Sequence, residues 1–175
     1  MSKTQLPEDS ILIASLNEVH YQDCYSKMIF DPELKITKRE LGISFFSSGP
    51  RWMNWLFNLR NWIVKFFGLK TPDKKLNREE ALRQFRGEVG EKMGFFKVMD
   101  SQAHELILGE DDKHLNFRVS LHIAPQSNDD GNRLITVSTI VQFHNRSGKF
   151  YFAIVRPFHR IIVQVMLKGM IRKLK

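Results

Sequence analysis

The sequence has few of the features that would define a disulfide-bonded, metal-clustered or membrane-spanning protein. Cys24 is the single cysteine among 175 residues, which excludes an internal disulfide and a cysteine-based metal cluster. We expect Cys24 to be a buried structural thiol. The chain has no uncharged apolar run of about 18 residues, so we expect no membrane-spanning helix.

Targeting and catalytic motifs are also missing. The first residues, MSKTQLPEDSILIA, carry Glu8 and Asp9 ahead of a very short apolar patch. This pattern does not resemble a signal peptide, so we expect a cytoplasmic protein. There is no Gly-x-Ser-x-Gly elbow, P-loop or dinucleotide fingerprint. None of the six histidines has the spacing of a metal site, so no metal, no cofactor and no catalytic residue is assigned.

Acidic residues are absent from the end of the chain. The sequence carries a net charge of +8, and all eight basic residues of that excess fall between Arg146 and Lys175. They can simply complement the dipole of a C-terminal helix. Alternatively, they could contact an anionic membrane surface. We expect no nucleic-acid binding, because these basic residues are not interleaved with a platform of aromatic side chains.

The most regular pattern in the chain is a strict alternation from His114 to Ile123. Ten residues of period two predict an antiparallel strand with one buried face and one more polar face. We expect the polar row to be solvated. If that row lined a cavity instead, Arg118 would need an acidic partner or an anionic ligand. The polar row is His114, Asn116, Arg118 and Ser120.

Further elements are predicted on both sides of this strand. A first strand is expected over Asn17–Met28. Thr37 and Glu40 have the spacing of a capping box, which predicts a short helix to about Phe46. The charged stretch 70–92 reads as a surface connection. A meander of four strands should follow at Met93–Met99, Ala103–Gly109, Lys113–Ala124 and Arg133–Asn145.

Pro50 opens a segment with all three tryptophans of the protein on one predicted helical face. Trp52, Trp55 and Leu59 belong to that face. We interpret it as a core or pocket wall, with an interfacial membrane helix as the alternative.

The last predicted helix runs from near Gly148 to Lys173, with a bend just before Pro157. The residues expected to pack on the sheet are Ile154, Phe158, Ile161, Ile162, Val165 and Met170. Arg156, His159 and Arg160 cluster near the bend. They could meet a carboxylate or phosphate, or the two arginines could face solvent while His159 packs on the end of the sheet.

The order of strand, two short helices, antiparallel meander and long closing helix is that of the helix-grip fold of START and Bet v 1-like proteins. Four stretches resemble the motifs of the domain of unknown function family 2867, over about Tyr21 to Met170. This resemblance implies an α+β, Bet v 1-like (SRPBCC) fold whose curved antiparallel sheet and long C-terminal helix enclose a largely apolar pocket. The family carries no established activity. The stretches are GEVGEKMGFFKV, ELILGEDDKHLNFRVSL, VQFHNRSGKFYFAIVRPFHRIIV and PRWMNWLFNLRNWIVKFFGLK.

We therefore expect one helix-grip domain over 1–175, with a loosely ordered arm at 1–15, that binds a small apolar or amphipathic ligand. The expected lining is Trp52, Trp55, Leu59, Phe117, Leu121, Val141, Phe158 and Ile162. The possible polar contacts are His114, Arg118, Arg156 and His159.

Two alternatives stay open. The first is a cyclase-like or hydrolase-like enzyme that uses His114 or His159 as a base, for which a cavity containing a buried histidine beside Asp or Glu is the discriminating observation. The second is peripheral attachment to a membrane. The oligomeric state is not indicated by the sequence.

Overall fold

The computed structural model describes residues 2–49, 78–94, 96–125 and 131–175. Within these ranges a 3-10 turn at Ile13–Ser15 precedes the main elements. The strands are β1 (Ser2–Lys3), β2 (Tyr21–Phe30), β3 (Lys92–Met93), β4 (Phe96–Ser101), β5 (Glu105–Asp111), β6 (Leu115–Ile123) and β7 (Asn132–Phe143). The helices are α1 (Lys38–Ser47), α2 (Arg78–Gln84) and α3 (Arg146–Leu174).

The described strands form one antiparallel sheet in the order β1-β2-β7-β6-β5-β4-β3. β3 to β7 are a meander, and β2 closes against the last strand, with Tyr21 opposite Val141 and Phe30 opposite Asn132. The predicted α+β class is confirmed. A curved antiparallel sheet, short helices and a long C-terminal helix form the arrangement of the helix-grip fold.

The first helix begins as the sequence predicts. The Thr37 side chain accepts a hydrogen bond from the Glu40 backbone, and the Glu40 side chain accepts one from the Thr37 backbone. This capping box satisfies amide groups that have no partner within the helix. The end of α1 lies beside α3. Ser48 is so close to Gly169 of α3 that any side chain at position 169 would collide with Ser48. The helix predicted after Pro50 lies outside the described residues.

α3 is one uninterrupted helix that includes Pro157. The Asn145 side chain caps it by accepting a hydrogen bond from the Gly148 backbone at 2.9 Å. The helix could cross a membrane by length and composition alone, contrary to the sequence-based expectation. Core helices of soluble proteins have the same composition, and one face of α3 packs on the sheet. The buried residues of that face are Gly148, Phe152, Val163, Met166, Leu167, Met170 and Ile171.

The packing face predicted for this helix is wrong at three of its six residues. Ile154, Phe158 and Ile161 are exposed, although Met170 is buried and Ile162 packs against the core. The physical reason is that α3 carries two apolar stripes, and hydrophobic periodicity alone does not distinguish them. The stripe that contains Phe152 and His159 is the one that contacts β2.

The two surfaces of the sheet are covered differently. The inner face, which faces α1 and α3, holds the main core, including Leu121, Val137 and Leu167. The outer face is covered in part by residues 6–16, which overlap the stretch expected to be a loosely ordered arm. Leu12 is fully buried there against Ile107 and Ile140.

Candidate functional site

A polar cluster interrupts the inner face near the end of the sheet where α3 begins. Val119, Thr139 and Asp23 lie opposite one another across β6, β7 and β2. His159 reaches this row from α3, and Tyr21 lies one step along β2 on the same face. We call Tyr21, Asp23, Thr139 and His159 the polar cluster.

Asp23 is the centre of the polar cluster. It is 3% exposed, and its Oδ2 atom accepts a hydrogen bond from the Tyr21 hydroxyl at 2.6 Å. His159 Nε2 lies 3.3 Å from the same oxygen. The other carboxylate oxygen, Oδ1, and the hydroxyl oxygen of Thr139 are both buried, and apart from the contact between these two side chains neither has a hydrogen-bond partner among the described residues. An oxygen acceptor that is buried without a donor is destabilising, so this point is suited to a ligand.

The electrostatics of the cluster keep a negative charge at this point. Burial raises the pKa of Asp23, but the contacts with His159, Tyr21 and Thr139 lower it by more, so the pKa lies below its ordinary value. Asp23 is therefore ionised at neutral pH. Burial, with help from the hydrogen bond to Asp23, raises the pKa of Tyr21 to about 12. Tyr21 is therefore a neutral hydrogen-bond donor.

Two arginines of α3 stand at the exposed rim of the cluster. The Arg156 guanidinium lies 5.3 Å from the centre of the Tyr21 ring, at cation–π distance. Arg160 forms a side-chain hydrogen bond with Tyr21. The expectation of a purely solvent-facing pair is thus only partly met, since both side chains are exposed but each contacts Tyr21. His159 packs inward, as one of the two interpretations expected.

An apolar cluster adjoins the polar one. Phe152 of α3 stacks near Tyr21, with ring centres 4.7 Å apart, and lies 5.5 Å from Phe143. Val141 is buried beside them, with Phe117 packed against it. The site therefore places an ionised carboxylate at one end of an apolar wall, a geometry that can orient an amphipathic molecule.

The predicted lining residues are not all brought together. Phe117 and Val141 flank the polar cluster, while Leu121 is fully buried in the main core. Phe158 is 37% exposed on the outward side of α3, so its assignment to the pocket is wrong. Trp52, Trp55 and Leu59 lie outside the described residues.

Of the predicted polar contacts, His159 and Arg156 are at the cluster and the other two are not. His114 is in the turn before β6, where its ring contacts the Asn145 side chain that caps α3. Arg118 is on the outer face, as expected, but it is buried rather than solvated. Its guanidinium pairs with Asp111 at 2.8 Å, in the space left by Gly109.

Ser120, on the same outer row, is buried by the N-terminal residues. The Glu105 carboxylate accepts hydrogen bonds from Ser120, from Ser10 and from the backbone of Ile11. These contacts fasten residues 10 and 11 to the outer face. Ser120 of the polar row therefore helps to hold the N-terminal residues on the sheet.

Asp23 and Thr139 were missed as site residues. The sequence did carry a signal, because each is a polar residue between two larger inward-facing ones, Asp23 between Tyr21 and Tyr25 and Thr139 between Val137 and Val141. Pairing them required the β2–β7 register, which joins positions 116 residues apart. In the described parts of the chain, no group of three or more His, Cys, Asp or Glu residues is placed to hold a metal.

The fold and the site define a helix-grip α+β domain with a polar cluster between sheet and helix. The model of a family described as protein of unknown function (DUF2867) matches residues 15–166, and the chain belongs to that family. The match confirms the family resemblance that the sequence motifs indicated. No curated protein and no solved structure matches the chain.

Proposed function

We propose that this chain is a single domain of the Bet v 1-like superfamily that binds a small amphipathic molecule between the inner face of the sheet and α3. The observation that carries the proposal is the pair of buried oxygens, Asp23 Oδ1 and Thr139 Oγ1, which have no hydrogen-bond partner among the described residues beyond the contact between these two side chains. They lie at the edge of the apolar cluster formed around Phe152. A binding site of this kind combines a mostly apolar wall with a few polar groups that fix orientation.

The chemistry of the cluster selects the polar end of the ligand. An ionised Asp23 accepts hydrogen bonds and donates none, and the Thr139 hydroxyl can do either. The ligand's polar end is therefore a hydrogen-bond donor such as a hydroxyl group. Its apolar part would lie along Phe152, Val141 and Phe117, with Arg156 at the rim.

A dye-displacement titration tests this proposal with 1-octanol and its methyl ether as a matched pair of probes. We expect 1-octanol to displace a bound anilinonaphthalene sulfonate dye more strongly than the ether does, because only the alcohol can donate to Asp23. In the Asp23→Asn, Thr139→Val double variant the alcohol should bind about tenfold more weakly, the typical effect of losing a hydrogen bond to a charged group. The ether should be affected little.

Gln22→Ala is the control, because Gln22 is exposed and neighbours Asp23 on the opposite face of β2. It should bind both probes as the unaltered protein does. Equal affinity of the unaltered protein for alcohol and ether, or no displacement by either, would refute the proposal.

A second candidate function is supported by His159 beside Asp23, a histidine–carboxylate contact in which the carboxylate is buried and the His159 side chain is 18% exposed. In that role Asp23 would orient the ring and His159 would accept a proton from water or a substrate hydroxyl. Hydrolysis of p-nitrophenyl octanoate tests it. An enzyme would lose turnover in His159→Gln while keeping 1-octanol binding, whereas hydrolysis at the same rate in both proteins would exclude the role.

A further inference from the structure

The outward side of the first half of α3 is apolar and exposed. Phe150 is 62% exposed, and Ile154, Phe158 and Ile161 follow it at intervals of three or four residues. This spacing places the four side chains on one face of the helix, which we call the outward stripe. In the most apolar 18-residue stretch of α3, 22% of the residues are buried. The fold therefore does not account for this apolar surface.

Basic residues on α3 accompany the outward stripe. Lys168 and Arg172 continue the same helical face after Ile161, and both are exposed. Between Arg146 and Lys175 the chain has eight basic residues and no acidic one. The other exposed basic residues on the first half of the helix are Arg146 and Lys149, together with Arg156 and Arg160 on the side that contacts Tyr21.

We propose that the outward stripe docks on an anionic lipid surface, with α3 lying in the plane of the interface. Apolar side chains on one face with flanking basic residues are the features of an interfacial helix, in which burial of the apolar face and attraction to anionic head groups add together. The opposite face of α3 stays packed on the sheet through Phe152, Val163 and Leu167. Docking therefore leaves the fold and the polar cluster intact.

Charge disfavours the other occupants of the stripe. If a second copy of the chain packed its outward stripe against the first, two helices that carry basic residues and no acidic ones would repel each other. Residues 50–70 of the same chain contain four basic residues and no acidic one, so they are repelled in the same way. The phosphates of a nucleic acid would pair with the basic residues, but its bases stack on aromatic rings and would not bury the aliphatic side chains of Ile154 and Ile161.

Co-sedimentation of the full chain with lipid vesicles tests the proposal. We expect the protein to sediment with vesicles of equal parts phosphatidylserine and phosphatidylcholine, and much less with phosphatidylcholine alone or at high salt. Phe158→Ser with Ile161→Ser should weaken binding at least about tenfold through lost apolar burial. Lys168→Glu with Arg172→Glu should weaken it by more than about thirtyfold, because removing two basic residues has about that effect and the two added carboxylates are repelled by the anionic surface.

Matched controls use exposed residues away from α3. Met28→Ser with Val89→Ser, and Lys35→Glu with Lys92→Glu, should leave vesicle binding unchanged. The proposal is overturned if the protein does not sediment with anionic vesicles, if salt and lipid charge have no effect, or if the Phe158 and Ile161 pair of changes is harmless. It is also overturned if light scattering shows a dimer that this pair converts to a monomer, because a second copy would then cover the stripe.

Discussion

Asp23 has the most unusual surroundings of the residues in the polar cluster. It is a buried carboxylate on an otherwise largely apolar inner face, held by the Tyr21 hydroxyl and His159. Burial without such partners would neutralise the group. The sequence contained the residue types of the site and located His159 and Arg156, because both are close together on one helix. It could not pair them with Asp23, because that contact depends on how β2 closes the sheet.

The raised pKa of Tyr21 provides a test of the residue contacts in the polar cluster. Burial favours the neutral phenol in the folded protein, so the associated stabilisation is present below the ordinary pKa of 10.0 and is lost as the pH rises through about 12. In a pH titration followed by NMR of 13C-labelled tyrosine rings, Tyr21 should therefore titrate near pH 12. Asp23→Asn should lower this value, because the charged acceptor is removed.

Gln22→Ala serves again as the control and should leave the Tyr21 titration in place. A Tyr21 ring that titrates at pH 10 in the unaltered protein would contradict the geometry of the polar cluster.

At the scale of elements, the strands were predicted well and the orientation of α3 was not. Alternation in β6 and β7 identifies the rows that face the main core, because period two puts all the apolar residues on one face, but the outer row of β6, which was expected to be solvated, is buried as well. The long helix has apolar residues on two stripes, and only the contact of Phe152 and His159 with β2 decides between them. The outward stripe that remains is the surface proposed for lipid docking.

The orientation of α3 predicts that two similar substitutions lower the free energy of unfolding by very different amounts. Leu167→Ala should lower the free energy of unfolding by about 2–5 kcal/mol, because Leu167 is fully buried and its loss leaves a cavity. Ile161→Ala should change it by less than about 1 kcal/mol, since that side chain is 56% exposed. Urea denaturation followed by circular dichroism measures both. Equal losses in the two variants would mean that α3 is rotated from the orientation described here.

At the scale of the whole molecule, the sheet separates two kinds of polar residue. On the outer face, Glu105 and Ser120 hold residues 10 and 11 in place, so their polar atoms are used by the fold itself. On the inner face, Asp23 and Thr139 keep oxygens that the described residues do not use beyond the contact between these two side chains. The order of elements predicted the fold class, but not this division, because the cover formed by residues 6–16 has no regular pattern in the sequence.

The most direct test of ligand binding at the inner face is an NMR titration of the uniformly labelled protein with 1-octanol. Binding at the polar cluster predicts saturable chemical-shift changes at Tyr21, Asp23, Thr139, Phe152 and His159, and no changes at Ser120 and His122 on the outer face. Shift changes centred on the outer face, or no saturable change at the polar cluster, would contradict it.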